Sequence, residues 1–311
     1  MSRLTIAPLA QVLAARVEGV DLAAPLDDAT FRRIYDAFQE YSVLVFPDQR
    51  LTDEQQMDFS RRFGPLETTI KSPGQELRLH ENLVDLSNVD PKGDDRLMGW
   101  NDRRMMYQSG NQLWHSDSSF KPTPAMASLL SAREVPPAGG ETEFASLRQA
   151  WTTLPPETQR RLEDKVAVHS ILYSRHTIAP GLFDPEHEKD LPPVRQALVR
   201  ANPDHGGKAI YIGSHAWYIE GMEYQESRRV LDDLLARATR PDGLYRHAWR
   251  QWDLVMWDNR AVLHRGRPWD AARHRRVMRR TTIAGEGPTA EPPYATRTRV
   301  WDGIIPEGIG V

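Results

Sequence analysis

The 311-residue sequence contains no cysteine. Disulfides, thiolate zinc sites, iron–sulfur clusters and cysteine nucleophiles are therefore excluded, and any metal must be held by imidazole and oxygen ligands. Long apolar runs are missing too. The N-terminus, MSRLTIAPLAQVLAARVEGV, lacks the apolar stretch of a signal peptide, and no segment reaches the length of a membrane span. A soluble, cytoplasmic protein without a membrane partner is the expectation. Net charge is also small: 40 Lys and Arg face 43 Asp and Glu, a formal charge of −3. With no basic patch interleaved with aromatics, a nucleic-acid partner is not expected. Repeats, low-complexity tracts and linkers are absent as well, so residues 1–311 read as a single domain.

What is present is an apolar fraction of 40% that includes nine tryptophans, enough for a sizeable core. Phe31, Ile34, Tyr35, Phe38 and Tyr41 recur at helical spacing after Asp28. The run SVLVF from Ser42 to Phe46 reads as a buried strand. Thr52 and Gln55 form a capping-box pattern that opens a helix through Phe59 and Phe63. From about residue 67 to 110 the pattern dissolves into a polar stretch broken by Pro and Gly, which reads as a lid loop. Strands are then expected over Ala125–Ala132, Thr142–Ala145, Ala209–Gly213, Asp253–Asp258 and Val277–Ile283. Helices are expected around Pro156–Asp164 and Val230–Ala238, with an irregular insertion at about 173–195. The fold class is mixed α/β, mainly β: short strands with Gly and Pro turns plus flanking helices point to a sandwich or jelly roll.

The most chemically loaded segment is NQLWHSDSSF. On an extended strand His115 and Asp117 share a face, so an imidazole and a carboxylate converge on one metal. Ser116, Ser118 and Ser119 supply short hydrogen-bonding neighbours. A facial triad needs a third ligand from elsewhere. Of the ten histidines, His264 follows the DLVMWD strand and the turn at Asn259-Arg260, and His215 also lies just after a strand. On the residues alone His264 is either that third ligand or a core hydrogen bonder. In the run RRVMRRTT, Arg276, Met278 and Arg280 share one face under period-two alternation. The two inward guanidinium groups would stand ~13 Å apart at ~3.3 Å per residue. Inward charges are costly unless each meets an anion, and two carboxylates, one on a co-substrate and one on a substrate, would satisfy them. A metal-stabilised binding protein without turnover leaves that pair unexplained. A zinc hydrolase lacks a positioned Glu base.

Taken in order, VLVFPDQRLTDEQQMDFSRRFGPLE, NQLWHSDSSF, PPAGGETEFA, DLVMWDNRAVLHRGRPWD and RRVMRRTT resemble the taurine dioxygenase / 2,4-dichlorophenoxyacetate dioxygenase group of Fe(II)/2-oxoglutarate oxygenases, over nearly the whole chain. The aryloxyacetate-degrading branch is the most similar. The resemblance implies a double-stranded β-helix in which His115, Asp117 and His264 hold Fe(II). It implies that Arg276 and Thr142 bind the distal carboxylate of 2-oxoglutarate, and that Arg280 faces the anionic head of the primary substrate. Asn111, Lys71 and His215 are expected on the substrate side. With O2, and ascorbate as an activator in vitro, hydroxylation of a small anionic organic substrate is implied. For an aryloxyalkanoate such as 2,4-dichlorophenoxyacetate this yields a phenol and glyoxylate, with succinate and CO2 from the co-substrate. A sulfonate, sulfate ester or natural aromatic acid is the alternative substrate. Homo-oligomers are expected from the group. Two departures, Asn202 in place of an expected His and the 173–195 insertion, are expected to border the substrate.

Overall fold

The computed structural model describes residues 4–69, 79–90, 96–179, 182, 188–204 and 206–290. Its organising feature is a pair of sheets whose alternating residues face opposite ways. The larger sheet has seven strands in the order Thr5–Pro8, Ala15–Glu18, Val43–Phe46, Leu254–Asp258, Ala125–Glu134, Val277–Ala284 and Val84–Asp85. All neighbours are antiparallel except Ala15–Glu18 and Val43–Phe46. The second sheet sets Thr142–Ser146 between Leu244–His247 and Val262–Gly266, antiparallel to both.

Strand periodicity decides which side each residue joins. Val43, Val45, Leu130, Val255, Trp257 and Met278 form one buried cluster with Phe144 and Val262, so these faces of the two sheets pack together. The intervening residues Leu44, Phe46, Leu129, Leu254 and Met256 point the other way, onto Ile34, Ala37, Phe38 and Phe59 of two N-terminal helices. Likewise Ala145 and Leu263 leave the sheet pair to pack on Leu147, Leu231 and Leu234 from helices beyond it. At about 25 cal/mol per Å² of apolar surface, these layers supply most of the drive to fold. The fold is mixed α/β. Two smaller sheets, Ala216–Ile219 with Val166–His169 and Val194–Ala197, and Lys208–Ile210 with Val199–Ala201, complete it.

The local signals set the N-terminal region. Helix Asp28–Tyr41 is capped by Asp27, which accepts from the backbone N–H of Thr30, rather than by Asp28. Thr52 and Gln55 form the expected capping box of helix Asp53–Arg61, which ends two residues before Phe63. Two irregular stretches hold more structure than their sequences signal. The 67–110 segment contains strand Val84–Asp85 and helix Arg103–Ser109, whose Met105 is buried with Met98 and Ala271. The 173–195 segment contains the end of helix Ile171–His176 and the start of strand Val194–Ala197. Both stretches extend partly beyond the described residues, and Lys71 lies outside them altogether.

Candidate metal and substrate site

His264 sits on strand Val262–Gly266, two residues after Val262, and so points between the two sheets. Its ring rests against Trp257 (centroids 4.6 Å apart) and Phe144 (6.2 Å), which restrict its orientation. His115 is held directly opposite by a reciprocal pair of backbone hydrogen bonds, N–H of His115 to O of His264 at 3.0 Å and the reverse at 2.9 Å. Residues paired this way present side chains on one face, and the two rings lie 4.1 Å apart. Gly213 makes this possible from behind. A Cβ there would press on Trp114 O at 3.1 Å and His115 Cα at 3.2 Å, and its φ of +134° suits only glycine.

Asp117 does not continue a strand from His115, contrary to the expectation from spacing. The chain turns there, with Ser118 in the left-handed region at φ 55°. The carboxylate is aimed by its neighbours instead. Ser128 Oγ donates to Asp117 Oδ2 at 2.7 Å, and Asn259 Nδ2 donates in turn to Ser128 Oγ at 2.9 Å. Asn259 Oδ1 accepts the Asp117 backbone N–H and the Trp257 indole N–H, both at 3.0 Å. One buried asparagine thus ties the turn to two strands.

The three side chains converge. His115 Nε2 is 3.8 Å from Asp117 Oδ1, and His264 Nε2 is 3.6 Å from Asp117 Oδ2. All three ligand atoms lie within 4.8 Å of one another. Two donors each ~2.1 Å from one ion at a right angle are ~3 Å apart, so the group is sized for a single metal. His115 Nδ1 lies 2.8 Å from the Leu113 carbonyl; because a carbonyl only accepts, Nδ1 carries the proton and Nε2 offers its lone pair. Burial lowers the pKa of His115 and, with His115 beside it, holds that of His264 well below the ordinary value. Burial resists ionisation of Asp117, but Arg280, His264 and His115 together keep its pKa below the usual carboxylate range. Two neutral imidazoles and a carboxylate are the donor set that suits Fe(II) and similar divalent ions.

Two cavities meet at this cluster. The smaller, about 70 Å³, is lined by His264, Thr142, Trp257, Trp269 and Arg276. The larger, about 130 Å³, is lined by Asp117, Phe120, Ile171, Arg175 and His215. His115, Asn111 and Arg280 border both. Arg276 is buried, and its Nε has no hydrogen-bond partner. Its guanidinium donates to the Gly140 carbonyl at 3.3 Å and lies over the Trp269 ring. Burial alone pulls its pKa down to about 10, so it remains a cation near neutral pH. Gly140, at φ +72°, leaves the room: a Cβ there would sit 3.1 Å from Arg276 Nε. Thr142 Oγ1 accepts from Trp249 Nε1 at 3.0 Å. Its own hydroxyl proton is therefore available to a second acceptor.

Most of the site expected from the sequence is brought together. Arg276 and Arg280 both reach the cavities although a bulge between Val277 and Met278 interrupts their alternation. Arg280 is already engaged, donating to Asp117 Oδ1 at 2.5 Å. His215 lines the larger cavity, with Ser174 Oγ 2.9 Å from its Nδ1. Asn202, expected to border the substrate, is turned to a structural contact instead. It donates to Gln39 Oε1 at 2.9 Å, lines neither cavity, and ties its turn to the N-terminal helix.

Further contributors carry no local signal of their role as strong as that of the histidines and arginines above. Asn88 accepts the Arg276 N–H at 2.8 Å and donates to the carbonyls of Ala271 (2.7 Å) and His274 (2.9 Å), fixing the approach to Arg276. An asparagine inside the short apolar piece from Leu83 to Val89 was its signal. The pair Glu67 and Lys121, 2.6 Å apart with Ser118 Oγ also on Glu67 at 2.7 Å, braces the Asp117 turn. Arg175 enters the larger cavity from helix Ile171–His176.

A buried two-histidine, one-carboxylate cluster between paired sheets, with cations lining its cavities, is the donor arrangement of a non-haem oxygenase. The family described as "Taurine catabolism dioxygenase TauD, TfdA family" matches residues 5–282, and the chain belongs to it. It is 42% identical over 278 residues to the alpha-ketoglutarate-dependent 2,4-dichlorophenoxyacetate dioxygenase of Cupriavidus pinatubonensis, covering 89% of this chain and 96% of that one. It is 40% identical to the (S)-phenoxypropionate/alpha-ketoglutarate-dioxygenase of Sphingobium herbicidovorans, covering 93% and 98%. The crystal structure of AAD-2 in complex with Mn(II) and N-oxalylglycine aligns with a TM-score of 0.85 at 42% identity, covering 93% of this chain and 99% of that one.

Proposed function

We propose that this protein is an Fe(II)- and 2-oxoglutarate-dependent oxygenase that hydroxylates an aryloxyalkanoate, releasing a phenol and glyoxylate from an aryloxyacetate such as 2,4-dichlorophenoxyacetate. The observation that carries this reading is the buried cluster of His115, Asp117 and His264 at the junction of two cavities, each containing an arginine with a free hydrogen-bonding group. The donor chemistry fits ferrous iron: both imidazoles are neutral, and the His115 tautomer leaves Nε2 free toward the cluster. The relatives named for 2,4-dichlorophenoxyacetate and phenoxypropionate support the substrate class.

In this reading the two sheets are the halves of a double-stranded β-helix in a single domain, with lid loops over the larger cavity. Arg276 holds the distal carboxylate of 2-oxoglutarate in the smaller cavity, and the Thr142 hydroxyl donates to the same end. Iron bound by the triad supplies the oxidising chemistry, in which O2 and the decarboxylation of 2-oxoglutarate to succinate and CO2 place one oxygen atom on a substrate C–H. The residues of the larger cavity hold that C–H close: Phe120 and Ile171 contact the aromatic ring, while Arg280, Asn111 and His215 face the polar end. Burial excludes water from the reacting centre. A hydroxyl placed beside the ether oxygen creates a hemiacetal, which breaks into phenol and glyoxylate. We place the enzyme in the cytoplasm as a homo-oligomer, with ascorbate sustaining its activity in vitro.

The test is succinate formation by purified protein given Fe(II), 2-oxoglutarate, ascorbate and O2. It is run with aryloxyacetates, aryloxypropionates, taurine and alkyl sulfates beside a His115→Ala control. Succinate that rises with an aryloxyalkanoate and disappears in the control is the expected result. Stimulation by a sulfate or sulfonate alone would replace the substrate class. No consumption of 2-oxoglutarate under any condition would sink the reading.

A further inference from the structure

The larger cavity is bordered by three side chains that are cationic at neutral pH among the described residues: Lys121, Arg175 and Arg280. Its two histidines, His115 and His215, are held neutral, chiefly by burial. Two of the three cations are already paired. Lys121 Nζ is 2.6 Å from Glu67 Oε2, and Arg280 donates to Asp117 Oδ1 at 2.5 Å. Arg175 is different. It is 5% exposed, its Nε has no hydrogen-bond partner, and no carboxylate among the described residues forms an ion pair with it. Among the described residues its one side-chain hydrogen bond is to Ser174 Oγ at 3.5 Å.

The guanidinium is nevertheless firmly placed. It lies 5.1 Å from the ring centroid of Tyr107 on one side. On the other it rests against Gly110, where a Cβ would overlap its Cζ, Nη1 and Nε. The helix that carries it, Ile171–His176, is tied to His215 twice: the Ser170 N–H donates to the His215 carbonyl at 2.8 Å, and Ser174 Oγ meets His215 Nδ1 at 2.9 Å. A buried cation held in a slot, with Nε unused and no ion-paired carboxylate among the described residues, is costly to the folded protein unless an anion arrives.

We propose that Arg175 is the principal anchor for the carboxylate of the primary substrate, with its planar donors taking the anionic head while Arg280 remains divided between Asp117 and that head. The inference rests on the oxygenase reading above and deepens it by naming the residue that selects anions. It assigns His215 a positioning role, holding the Arg175 helix from behind, and gives Gly110 a reason to lack a side chain. Phe120 and Ile171, on the same cavity wall, then receive the apolar part of the molecule.

The experiment compares 2,4-dichlorophenoxyacetate with its uncharged amide in wild type, Arg175→Gln, Arg175→Lys and Gly110→Ala, scoring KM for each and KM for 2-oxoglutarate. Arg175→Gln is expected to raise KM for the acid roughly 10- to 100-fold, the range of a lost charge-assisted hydrogen bond. KM for the amide and for 2-oxoglutarate should move about twofold or less, because neither needs this cation. The preference for acid over amide therefore collapses, which a merely structural defect would not produce. Arg175→Lys should recover part of the preference. Gly110→Ala, which displaces the guanidinium without removing it, should lose part of the preference, and it decides alone if Arg175→Gln does not fold. An acid-to-amide ratio unchanged in both Arg175→Gln and Gly110→Ala, in enzyme that still consumes 2-oxoglutarate, overturns the assignment and leaves the oxygenase reading standing. Wild-type protein that consumes no 2-oxoglutarate overturns both.

Discussion

The two cavities share His115, Asn111 and Arg280 but are walled in different ways. Around the smaller, Thr142 and His264 project from neighbouring strands of one sheet, and each key group is held by a neighbour: Thr142 by the half-buried Trp249, and Arg276 by the buried Asn88 and Gly140. Around the larger, strands contribute Val84, Arg280 and Thr282, but much of the wall comes from connecting segments and short helices: Glu67 to Thr69, Asn82, Tyr107, Gln108, Asn111, Ile171 and Arg175. Rigid strands hold groups to the tolerance that chemistry requires, while connecting segments tolerate sequence change and tune recognition. In the proposed reading, the half of the reaction common to the family, binding 2-oxoglutarate beside the metal, falls to the strand side, and the half that distinguishes one aryloxyalkanoate from another falls to the loop side.

The sharpest way to break that comparison is to remove the buried cation of the strand side. Arg276→Gln deletes the charge proposed to hold the co-substrate carboxylate, so KM for 2-oxoglutarate should rise roughly 10- to 100-fold. KM for the aryloxyalkanoate, measured at saturating 2-oxoglutarate, should change far less. Steady-state succinate assays read both constants. If the two rise together, the cavities are not separate binding regions and the division fails.

The sides should also differ in their response to acid. Outside the His115, Asp117 and His264 cluster, the strand side relies on arginines and a threonine, which do not titrate near neutrality. Behind the loop side lies His169, fully buried with Nδ1 3.1 Å from Ser119 Oγ, and burial pulls its pKa down to about 3. Between that value and the unfolded value near 6.5, the unfolded chain binds a proton that the folded protein does not. The neutral ring's contribution is thus complete above about pH 6.5 and is lost as pH falls toward 3. From pH 7.5 to 5.5 His169 should cost about 1 kcal/mol of stability. Urea unfolding of metal-free protein at the two pH values should show a decline smaller by about that amount in His169→Gln. An equal decline in both proteins would mean that His169 is not the group responsible.

How much of this was legible beforehand follows the same division. Strand Leu254–Asp258, the capping box at Thr52 and Gln55, and the inward pair Arg276 and Arg280 all rest on patterns within a few residues, and these were readable. The donor residues were visible as types, with motif resemblance making His264 the third ligand. Their geometry was hidden. The turn at Asp117 is held by Ser128 and Asn259, remote in sequence, and the His115–His264 bridge is a pairing that no local pattern encodes. On the loop side the signals were weaker still. Helix Arg103–Ser109 has one buried apolar residue, too few for a periodic signal, and Arg175 is buried because Gly110 and Tyr107, distant in sequence, make a slot for it.

The smallest expected effect tests the strand side's finest detail. Trp249 Nε1 can only donate, so its bond commits one lone pair of Thr142 Oγ1 and directs the hydroxyl proton elsewhere. Trp249→Phe keeps the ring packed beside His247, 4.6 Å between centroids, and removes only the N–H. If the bond orients Thr142 toward the co-substrate, KM for 2-oxoglutarate should rise about three- to tenfold, the value of one neutral hydrogen bond. The decisive comparison is with Thr142→Val. Once the hydroxyl is gone, Trp249→Phe should add almost nothing, because the indole acts through it. Full additivity of the two substitutions would mean that Trp249 contributes packing alone, and the strand side would then owe less of its precision to buried hydrogen bonds than Thr142 and Arg276 imply.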